Sequence, residues 1–368
     1  MKVIIDCFKL VKGNGKSIGI YNLAHHLVRE LAGRNLDEKQ QIIILGNQYN
    51  RRDFDLPGLT FMEIKANPFN ALRCLWWELF EVSVIAARLQ ADKVLFPRGF
   101  ASVLHLTKEV VIIHDMIPFY YHENYPDYFG KLKNGYIMRR LVTSAKKADE
   151  VITVSEASKQ DILKYAKVDE HKIKVIYNGC NCMPEINSEN EGEAYMIAMT
   201  SDLPHKNAAG IVNAYREYCK LTDSPLPLKI IGIADADRFD LPQTDLKGRI
   251  ECIRYVEKDE ELYRMIHHAE VFVFLSLIEG FGFPPVEALQ LGTPVVCSNR
   301  SSLPEVLGNA AILVDPEDEK AVAQAIYRVL QERKDSDSMK EQGKKYVERF
   351  SWNKIGKQYW DALMSEEK

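Results

Sequence analysis

The segment Ser276–Glu305 reads SLIEGFGFPPVEALQLGTPVVCSNRSSLPE and directly follows the apolar run Val271–Leu275. That run is short, β-branched and aromatic, which is typical of a strand buried on both faces of a sheet. Next, Gly280–Gly282 predicts a turn that a ligand can approach closely, and Pro284 and Pro285 predict the start of a helix. The segment therefore predicts a strand, a ligand-binding loop and a helix in succession.

Two glutamates, Glu279 and Glu287, stand eight positions apart around this turn. We expect Glu287 in the first helical turn, where its carboxylate can accept both hydroxyls of a cis-diol such as ribose, and Glu279 on the loop nearer the phosphates. Unpaired N–H groups at the helix start favour an anion such as a diphosphate. Either glutamate alone is also explained as a helix-dipole residue or a solvated loop residue. Together with the following strand, Thr293–Ser298, the pair favours a sugar-nucleotide site.

This pattern resembles glycosyltransferase family 4, the group 1 glycosyltransferases. The family carries a glutamate pair around a Gly-Phe-Gly turn, followed by an alanine-leucine helix and a Gly-x-Pro-Val-Val strand. The resemblance implies an α/β protein of the GT-B fold, with two doubly wound Rossmann-like domains facing each other across a cleft. It also implies a nucleoside-diphosphate sugar donor, no metal and no cofactor, and transfer with retention of anomeric configuration.

The length and strand pattern also indicate two domains. The 368 residues exceed the usual size of a single core, and apolar runs alternate with helical stretches, as in parallel, doubly wound sheets. The predicted strands are Val3–Asp6, Gln41–Gly46, Leu59–Ile64, Lys93–Phe96, Val110–His114, Val151–Val154 and Lys174–Tyr177, then Ala194–Met199, Leu228–Gly232, Arg249–Cys252, Glu270–Leu275, Pro294–Ser298 and Ala311–Val314.

Between the two sets of strands, the polar stretch Asn178–Glu193 predicts the interdomain linker. We therefore expect an acceptor-side domain over residues 1–180 and a nucleotide-sugar-binding domain over 181–348. The end, 349–368, resembles the family's terminal helix, which packs back on the first domain.

Composition disfavours several other classes. The seven cysteines include no CxxC pair, which argues against a disulfide framework or a zinc site. No run approaches the roughly 18 apolar residues of a membrane span, and no signal core opens the sequence. A cytoplasmic location is therefore the expectation. A net charge of −4 and the lack of a nucleic-acid-reading motif argue against nucleic-acid binding.

A basic, partly apolar segment between Lys131 and Lys147 predicts a helix that can lie on an anionic membrane. Its cations are Lys131, Lys133, Arg139, Arg140, Lys146 and Lys147, interleaved with Tyr136, Ile137, Met138, Leu141 and Val142. A solvated basic face over an ordinary core face is the alternative. Peripheral contact of the N-terminal domain with the inner face of a membrane is thus a hypothesis.

Near the start, Gly13–Ser17 ends in Gly-Lys-Ser after a strand, as a Walker A motif does. Leu10 stands where that motif needs a glycine, so an ATPase is disfavoured. Members of family 4 have a glycine-rich loop here, and the resemblance implies that Gly15 and Ser17 lie near the donor phosphates. Ile20 replaces the arginine of the family's Gly-Ile-Gly-Arg-Tyr run.

His114 and Asp115 follow an apolar run at the carboxyl end of a predicted strand, where α/β sheets place ligands. The resemblance implies that His114 reaches the donor sugar or the reacting centre; a hydrogen-bonded turn histidine is the alternative. We expect Asp115 to orient its loop rather than act as a base. Ser155 is expected to cap a helix, and Trp76–Glu78 to belong to the core.

In the second half, Pro204–Asn207 matches the family's lysine-asparagine block. The resemblance implies that Lys206 clamps the donor diphosphate; an exposed helix lysine is the alternative. Thr200 stands where many members carry an arginine, so one fixed cation is missing. Val256 ends a segment that resembles the one whose backbone reads the nucleotide base.

The predicted function is that of a retaining hexosyltransferase, which moves a hexose from a nucleoside-diphosphate sugar to a glycan or lipid-linked oligosaccharide in surface polysaccharide biosynthesis. A sugar-nucleotide 2-epimerase-like isomerase and a non-catalytic nucleotide-sugar-binding protein are the alternatives. The predicted catalytic residues are Glu279, His114 and Lys206, and the predicted donor-binding residues are Gly15, Ser17, Thr200, Val256, Phe281, Gly282, Phe283 and Glu287.

Overall fold

The chain forms two compact units in a computed structural model that describes residues 1–13, 18–34, 37, 39–180, 183, 186, 192–235, 249–331 and 336–365. Unit 1 consists of Met1–Gly179 and Trp352–Lys368, and unit 2 of Cys180–Ser351. The chain thus leaves unit 1 once and returns to it near its end. The predicted linker, Asn178–Glu193, and the predicted phosphate loop with Gly15 and Ser17 lie largely or wholly outside the described residues.

Unit 1 is built on a parallel sheet of seven strands. They are β1 Lys2–Asp6, β2 Gln41–Gly46, β3 Thr60–Glu63, β4 Lys93–Phe96, β5 Lys108–Ile113, β6 Glu150–Thr153 and β7 Ile173–Val175. Their order is β3-β2-β1-β4-β5-β6-β7. The sequence of strands therefore changes direction between β1 and β4, and α/β sheets bind ligands beyond the carboxyl ends of strands at such a switch point.

Helices cover both faces of this sheet, which explains the nearly unbroken apolar character of its central strands. They are α1 Ile18–Ala32, α2 Arg51–Phe54, α3 Ala71–Trp76, α4 Val82–Arg88, α5 Ile117–Asn124, α6 Lys131–Lys147 and α7 Glu156–Ala166, with a π-helical turn at Trp77–Glu81 between α3 and α4 and a 3₁₀ turn at Glu170–Lys172.

Unit 2 repeats the plan with six parallel strands in the order β10-β9-β8-β11-β12-β13. They are β8 Met196–Met199, β9 Leu228–Ile231, β10 Ile250–Ile253, β11 Val271–Phe274, β12 Val295–Ser298 and β13 Ile312–Val314. The helices are α8 Ala208–Cys219, α9 Asp259–His267, α10 Phe283–Gln290, α11 Leu303–Leu307, α12 Glu319–Gln331 and α13 Ser336–Val347, with 3₁₀ turns at Pro204–Lys206, Gly308–Ala310 and Glu348–Phe350. Here the switch point lies between β8 and β11.

The last helix, α14 (Trp352–Met364), belongs to unit 1. Its Trp352 ring stacks on His26 of α1 at 5.4 Å and lies so close to Gly179 that a Cβ there would be 2.3 Å from the ring. At the other end, Lys93 Nζ donates to the carbonyls of Ala362 and Ser365, both at 3.2 Å. Stacking and hydrogen bonds thus fix both ends of α14 to the sheet and helices of unit 1.

The α/β prediction with two doubly wound sheets is confirmed, and every predicted strand is present with its ends within two residues of the predicted ones. Buried apolar runs set these strands, and such runs are visible in the sequence. Within the described part of the chain, no helix combines the length and the apolar character that crossing a bilayer requires.

One buried carboxyl group carries an electrostatic cost for unit 1. Glu109, the second residue of β5, is fully buried, and its Oε2 lies 3.7 Å from His105 Nδ1. Burial and, to a smaller extent, the neighbouring Asp149 raise the pKa of Glu109 to about 8. Because the folded state holds the proton more tightly than the unfolded chain, stability is full below the unfolded pKa and falls as pH rises towards 8.

We expect Glu109→Gln to stabilise unit 1 at pH 9 and to have little effect at pH 5. The amide keeps the shape of the protonated acid and removes the charge, and one unit of pKa shift corresponds to about 1.4 kcal/mol, so the gain is of the order of a few kcal/mol. The measurement is the thermal unfolding midpoint across this pH range. Exposed Glu257→Gln is the matched control, and an equal gain from Glu109→Gln at both pH values would contradict the assignment.

Candidate active site

The loop after β11 carries the first of the paired glutamates. β11 is fully buried, and the chain leaves it through buried Leu275 and Ser276 before reaching Glu279. At Gly282 the backbone takes φ 94°, a conformation that favours glycine. A Cβ at this position would also lie 2.5 Å from Leu303 Cδ2. The glycine is therefore required both by its dihedral angle and by the close approach of α11.

Two serines hold the carbonyl groups of this loop. Ser301 Oγ donates to Glu279 O at 2.8 Å, and Ser302 Oγ lies 3.0 Å from Glu279 O and 3.2 Å from Phe281 O. Ser302 is fully buried. No role was predicted for these serines, which directly precede α11. They hold the loop in place through its carbonyl oxygens.

Lys206 meets Glu279 at the switch point of unit 2. Lys206 Nζ lies 2.5 Å from Glu279 Oε1 and 5.7 Å from the centre of the Phe274 ring. The backbone supports the pair, since Leu277 N donates to His205 O at 2.7 Å. Two predicted catalytic residues, 73 positions apart, are thus brought into direct contact, and the exposed-lysine alternative does not describe Lys206.

Thr200, the residue in the arginine position, supports the lysine segment instead of supplying a charge. Its Oγ1 donates to Lys206 O at 2.8 Å, while its own N–H donates to Ile231 O. The neighbouring His205 is buried, and this burial together with the smaller effect of the Lys206 charge lowers its pKa to about 4. Near neutral pH, His205 is uncharged, so Lys206 is the cation of this segment.

The start of α10 differs from the expected geometry. The helix begins at Phe283, so Glu287 is its fifth residue and lies beyond the first turn, where it had been predicted. The reason is that the loop ends at Gly282, so the helix begins one residue before the prolines. Pro284 and Pro285 then occupy the second and third helical positions and carry no N–H. The helix start offers fewer donors to an anion than the sequence analysis expected.

Glu287 lies in an acidic, aromatic environment of its own. Burial and, to a smaller extent, the charge of Asp259 in α9 raise the pKa of Glu287 to about 7. The Glu287 charge in turn raises the pKa of Tyr263 and of Cys180, after burial, which is the larger cause for both. A carboxyl with this pKa is protonated below neutrality and becomes a two-oxygen acceptor above it.

In unit 1, His114 follows β5. Its Nε2 lies 2.8 Å from Pro97 O, and its backbone carbonyl accepts from Ser158 Oγ at 3.0 Å. Burial lowers the pKa of His114, so the neutral ring predominates near pH 7. Because a carbonyl only accepts, Nε2 carries the proton and Nδ1 is left with a lone pair. Asp115 Oδ1 accepts from Ile117 N at 3.0 Å, which agrees with its expected loop-orienting role.

A second polar cluster at the strand ends of unit 1 was missed by the sequence analysis. Asp6, the last residue of β1, accepts from Trp77 Nε1 at 3.0 Å and from Phe8 N at 3.2 Å. Burial raises the pKa of Asp6 to about 6. Buried Glu78 binds Lys9 Nζ at 2.8 Å. Trp77 and Glu78 are buried, as predicted, but Trp76 is 59% exposed, so its assignment to the core is wrong. The indole N–H of Trp77 serves this cluster, and the sequence signal for the cluster was an acid at the end of a buried strand.

The remaining predicted residues lie elsewhere along the strand ends or outside the described chain. Val256 follows β10, the outermost strand of unit 2. Ser155 caps α7 by accepting from Ser158 N at 3.0 Å, so the capping interpretation is confirmed. Among the described residues, no group of three or more His, Cys, Asp and Glu side chains could hold a metal ion. The metal-independent site stays a prediction.

Comparison with known proteins gives concordant matches over both units. Residues 15–183 match the model of Glycosyltransferase Family 4, and residues 183–346 match Glycosyl transferases group 1. O-antigen chain mannosyltransferase RfbU of Salmonella typhimurium is 33% identical over 235 residues, which are 61% of this chain and 62% of that protein. O-antigen chain mannosyltransferase B of Escherichia coli is 30% identical over 281 residues, 73% of each chain.

Among solved structures, Anabaena Alr3699/HepE in complex with UDP-glucose superposes with a TM-score of 0.70, covering 100% of both chains at 16% identity. Together with the two doubly wound sheets, this likeness shows the GT-B fold. The chain belongs to the group 1 glycosyltransferases of family 4, as the sequence pattern around Glu279 and Glu287 had indicated.

The Gly282 turn yields a structural prediction. We expect Gly282→Ala to destabilise unit 2 by about 1–3 kcal/mol, because the new Cβ meets Leu303 and the residue must keep a positive φ. Thermal unfolding of Gly282→Ala, Leu303→Ala and the double variant measures the coupling. If the contact matters, the double variant loses less stability than the sum of the single losses. Strict additivity would show that the side-chain contact plays no part.

Proposed function

We propose that this glycosyltransferase moves a hexose from a nucleoside-diphosphate sugar to a glycan or lipid-linked oligosaccharide, with retention of anomeric configuration, in surface polysaccharide biosynthesis. The observation that carries the proposal is the contact of Lys206 Nζ with Glu279 Oε1 at the carboxyl end of β11. A cation and a carboxylate at this point suit a diphosphate and the hydroxyls of a sugar.

The chemistry assigned to each residue follows from its charge. Lys206 stabilises the negative charge that develops on the leaving diphosphate, together with backbone N–H groups of Phe281–Phe283. The Glu279 carboxylate accepts hydrogen bonds from hydroxyls of the donor sugar, and the ionised Glu287 carboxylate accepts hydrogen bonds from the ribose diol. The neutral ring of His114 can accept a hydrogen bond from a sugar hydroxyl at Nδ1. No metal, cofactor or covalent nucleophile is included, since positioning and fixed charge suffice.

The names of the relatives narrow the substrate. Both sequence relatives described above are named O-antigen chain mannosyltransferases, so we propose mannose as the transferred sugar and an O-antigen-type glycan as the acceptor. The nucleotide is open between GDP, UDP and dTDP. We also propose that the enzyme works in the cytoplasm and contacts the inner face of the membrane through the cations of α6.

Donor binding tests the site. We expect one sugar among a panel of GDP-, UDP- and dTDP-sugars to bind saturably in calorimetry, and Lys206→Ala to weaken its binding about 10- to 100-fold, because a charge-assisted contact to the diphosphate is lost. Lys220→Ala, an exposed lysine on the same unit, is the matched control. Absence of binding by every donor contradicts the proposal. Products formed without any acceptor would identify an isomerase instead.

The role of Glu287 gives the donor affinity a pH dependence. Ribose hydroxyls bind the ionised carboxylate, and the pKa of Glu287 is about 7, so we expect affinity to rise between pH 6 and pH 8 and then level off. Glu287→Gln should bind more weakly at pH 8 and lose this dependence. Calorimetry at several pH values measures both effects, with thermal unfolding as the check on folding. An unchanged pH profile in Glu287→Gln would refute the ribose assignment.

Membrane contact is tested separately by sedimentation. We expect the protein to pellet with vesicles that contain phosphatidylglycerol at low salt and to be released at high salt, because basic residues near an anionic surface contribute about 1 kcal/mol each and are screened by ions. Lys131→Gln with Lys133→Gln should weaken the binding, and Arg88→Gln on α4 is the control. Protein that stays in solution at low salt contradicts the contact.

A further inference from the structure

A cavity of about 330 Å³ lies in unit 1 between α6, the π-helical turn Trp77–Glu81 and the segment at Ser102 and Val103. The α6 side of it is formed by Tyr136, Arg139, Arg140, Thr143 and Lys147. Their spacing of three and four residues places them along one stripe of the helix. The cavity is thus a groove that follows α6 for three turns.

The wall opposite α6, at Ser102 and Val103, is held in place by hydrogen bonds to the π-helical turn and, through Ala101, to α6. Ser102 Oγ and Val103 N each donate to Leu79 O at 2.9 Å. On the other side, Ala101 N donates to Ser144 Oγ at 2.9 Å. Because this wall is bound to the π-helical turn and to α6 at once, the groove is preformed rather than a gap between loosely packed segments.

The groove contains a buried cation with spare hydrogen-bonding capacity. Arg140 is only 7% exposed, and its Nη2 donates to Ala101 O at 2.8 Å and lies 3.5 Å from Glu78 Oε1. Within the described chain its Nε has no hydrogen-bond partner. Such a buried donor costs free energy unless a ligand or water satisfies it.

Further positive charge stands at the lip. Arg139 is exposed, and Lys147 Nζ donates to the carbonyl of Val103 at 3.1 Å. Because a carbonyl carries no net charge, this hydrogen bond does not compensate the positive charge of the ammonium group. Behind them, Glu109 is held largely protonated at neutral pH by its raised pKa of about 8, so it does not balance these cations. The lip therefore favours an anion.

Apart from these cations, the walls of the groove and the surface around its opening are apolar. Leu79 and Val103 line the groove, and Val103 and Tyr136 remain 39% and 45% exposed. One turn before Tyr136, Leu132 is 93% exposed. An apolar groove with a cationic lip matches a molecule that has both a hydrocarbon chain and an anionic head.

We propose that this groove binds a single lipid phosphate, with its hydrocarbon chain against Leu79, Val103 and Tyr136 and its phosphate at Arg139 and Lys147. The inference deepens the proposed function, on which it rests for the natural ligand, the lipid part of a lipid-linked acceptor. It differs from membrane-surface contact because one molecule enters a defined groove.

Calorimetric titration with monododecyl phosphate, below its micelle concentration, tests the proposal on the full chain. We expect one molecule to bind per protein, and Arg139→Gln to weaken binding roughly tenfold because one charge-assisted contact is lost. Thr143→Phe, which fills the groove, should abolish binding, whereas the similarly sized Thr143→Val should retain it. Arg88→Gln on α4 is the control for Arg139, and thermal unfolding shows whether each variant is folded.

The other outcomes overturn the proposal. If a neutral dodecyl ether binds as tightly as monododecyl phosphate, the groove is only an apolar cavity. If inorganic phosphate competes as well as monododecyl phosphate does, the lip is only an anion site. Binding to phosphatidylglycerol vesicles without binding of monomeric dodecyl phosphate would assign the surface to the bilayer instead. Donor binding in unit 2 is measured independently with Lys206→Ala, so failure of the proposed function and failure of this inference are distinguishable.

Discussion

The pairing of β8 with β11 is the constraint on which the candidate site depends. Val271 and Val273 lie opposite Met196 and Ala198 in a parallel ladder, so both strands end at the same edge of the sheet. Their connections then leave in opposite directions, because the strand order reverses between them. The space between those connections receives the lysine segment from one side and the glutamate loop from the other, and only this arrangement brings Lys206 to Glu279.

The ion pair between Lys206 and Glu279 contributes little to stability, so Lys206 can exchange Glu279 for a ligand. About a quarter of the Lys206 side chain is exposed, against 11% for Glu279, so solvent screens the attraction, and partly exposed pairs contribute only about 0–1 kcal/mol. The surrounding backbone, not the pair, holds the segment, through Thr200, Leu277 and the loop serines. A diphosphate can therefore take Lys206 from Glu279 at small cost, and the released carboxylate is then ready to accept sugar hydroxyls.

The sequence was informative where one local pattern determines the structure. Buried strands, the Gly282 turn and the Ser155 cap follow from residue type and spacing. The family pattern singled out Lys206 and Glu279 separately, and their direct contact is visible only in the structure. The prediction failed for Glu287, because the two prolines suggested a later helix start than the positive φ of Gly282 imposes. Two prolines inside a first turn remain compatible with a helix, since those N–H groups would be unpaired anyway.

Tertiary contacts between distant segments were out of reach of the sequence. Trp77 reads as a core residue and is one, yet its indole N–H is used by Asp6, 71 positions away. Arg140 reads as part of a solvated basic face, but it is buried against Glu78, and only its environment reveals a spare donor. In each case the burial pattern alone does not encode the partner of the polar atom.

These features leave Lys206 as the main source of positive charge in the proposed donor site. Thr200 supplies a hydroxyl brace where a second cation would stand, His205 is neutral, and Pro284 and Pro285 remove two N–H groups from the start of α10. In the proposed donor complex, the diphosphate charge is then compensated mainly by Lys206. Because the loop serines fix the carbonyls of Glu279 and Phe281, the loop that carries Glu279 is held in place beside Lys206, which is what electrostatic preorganisation of the proposed site requires.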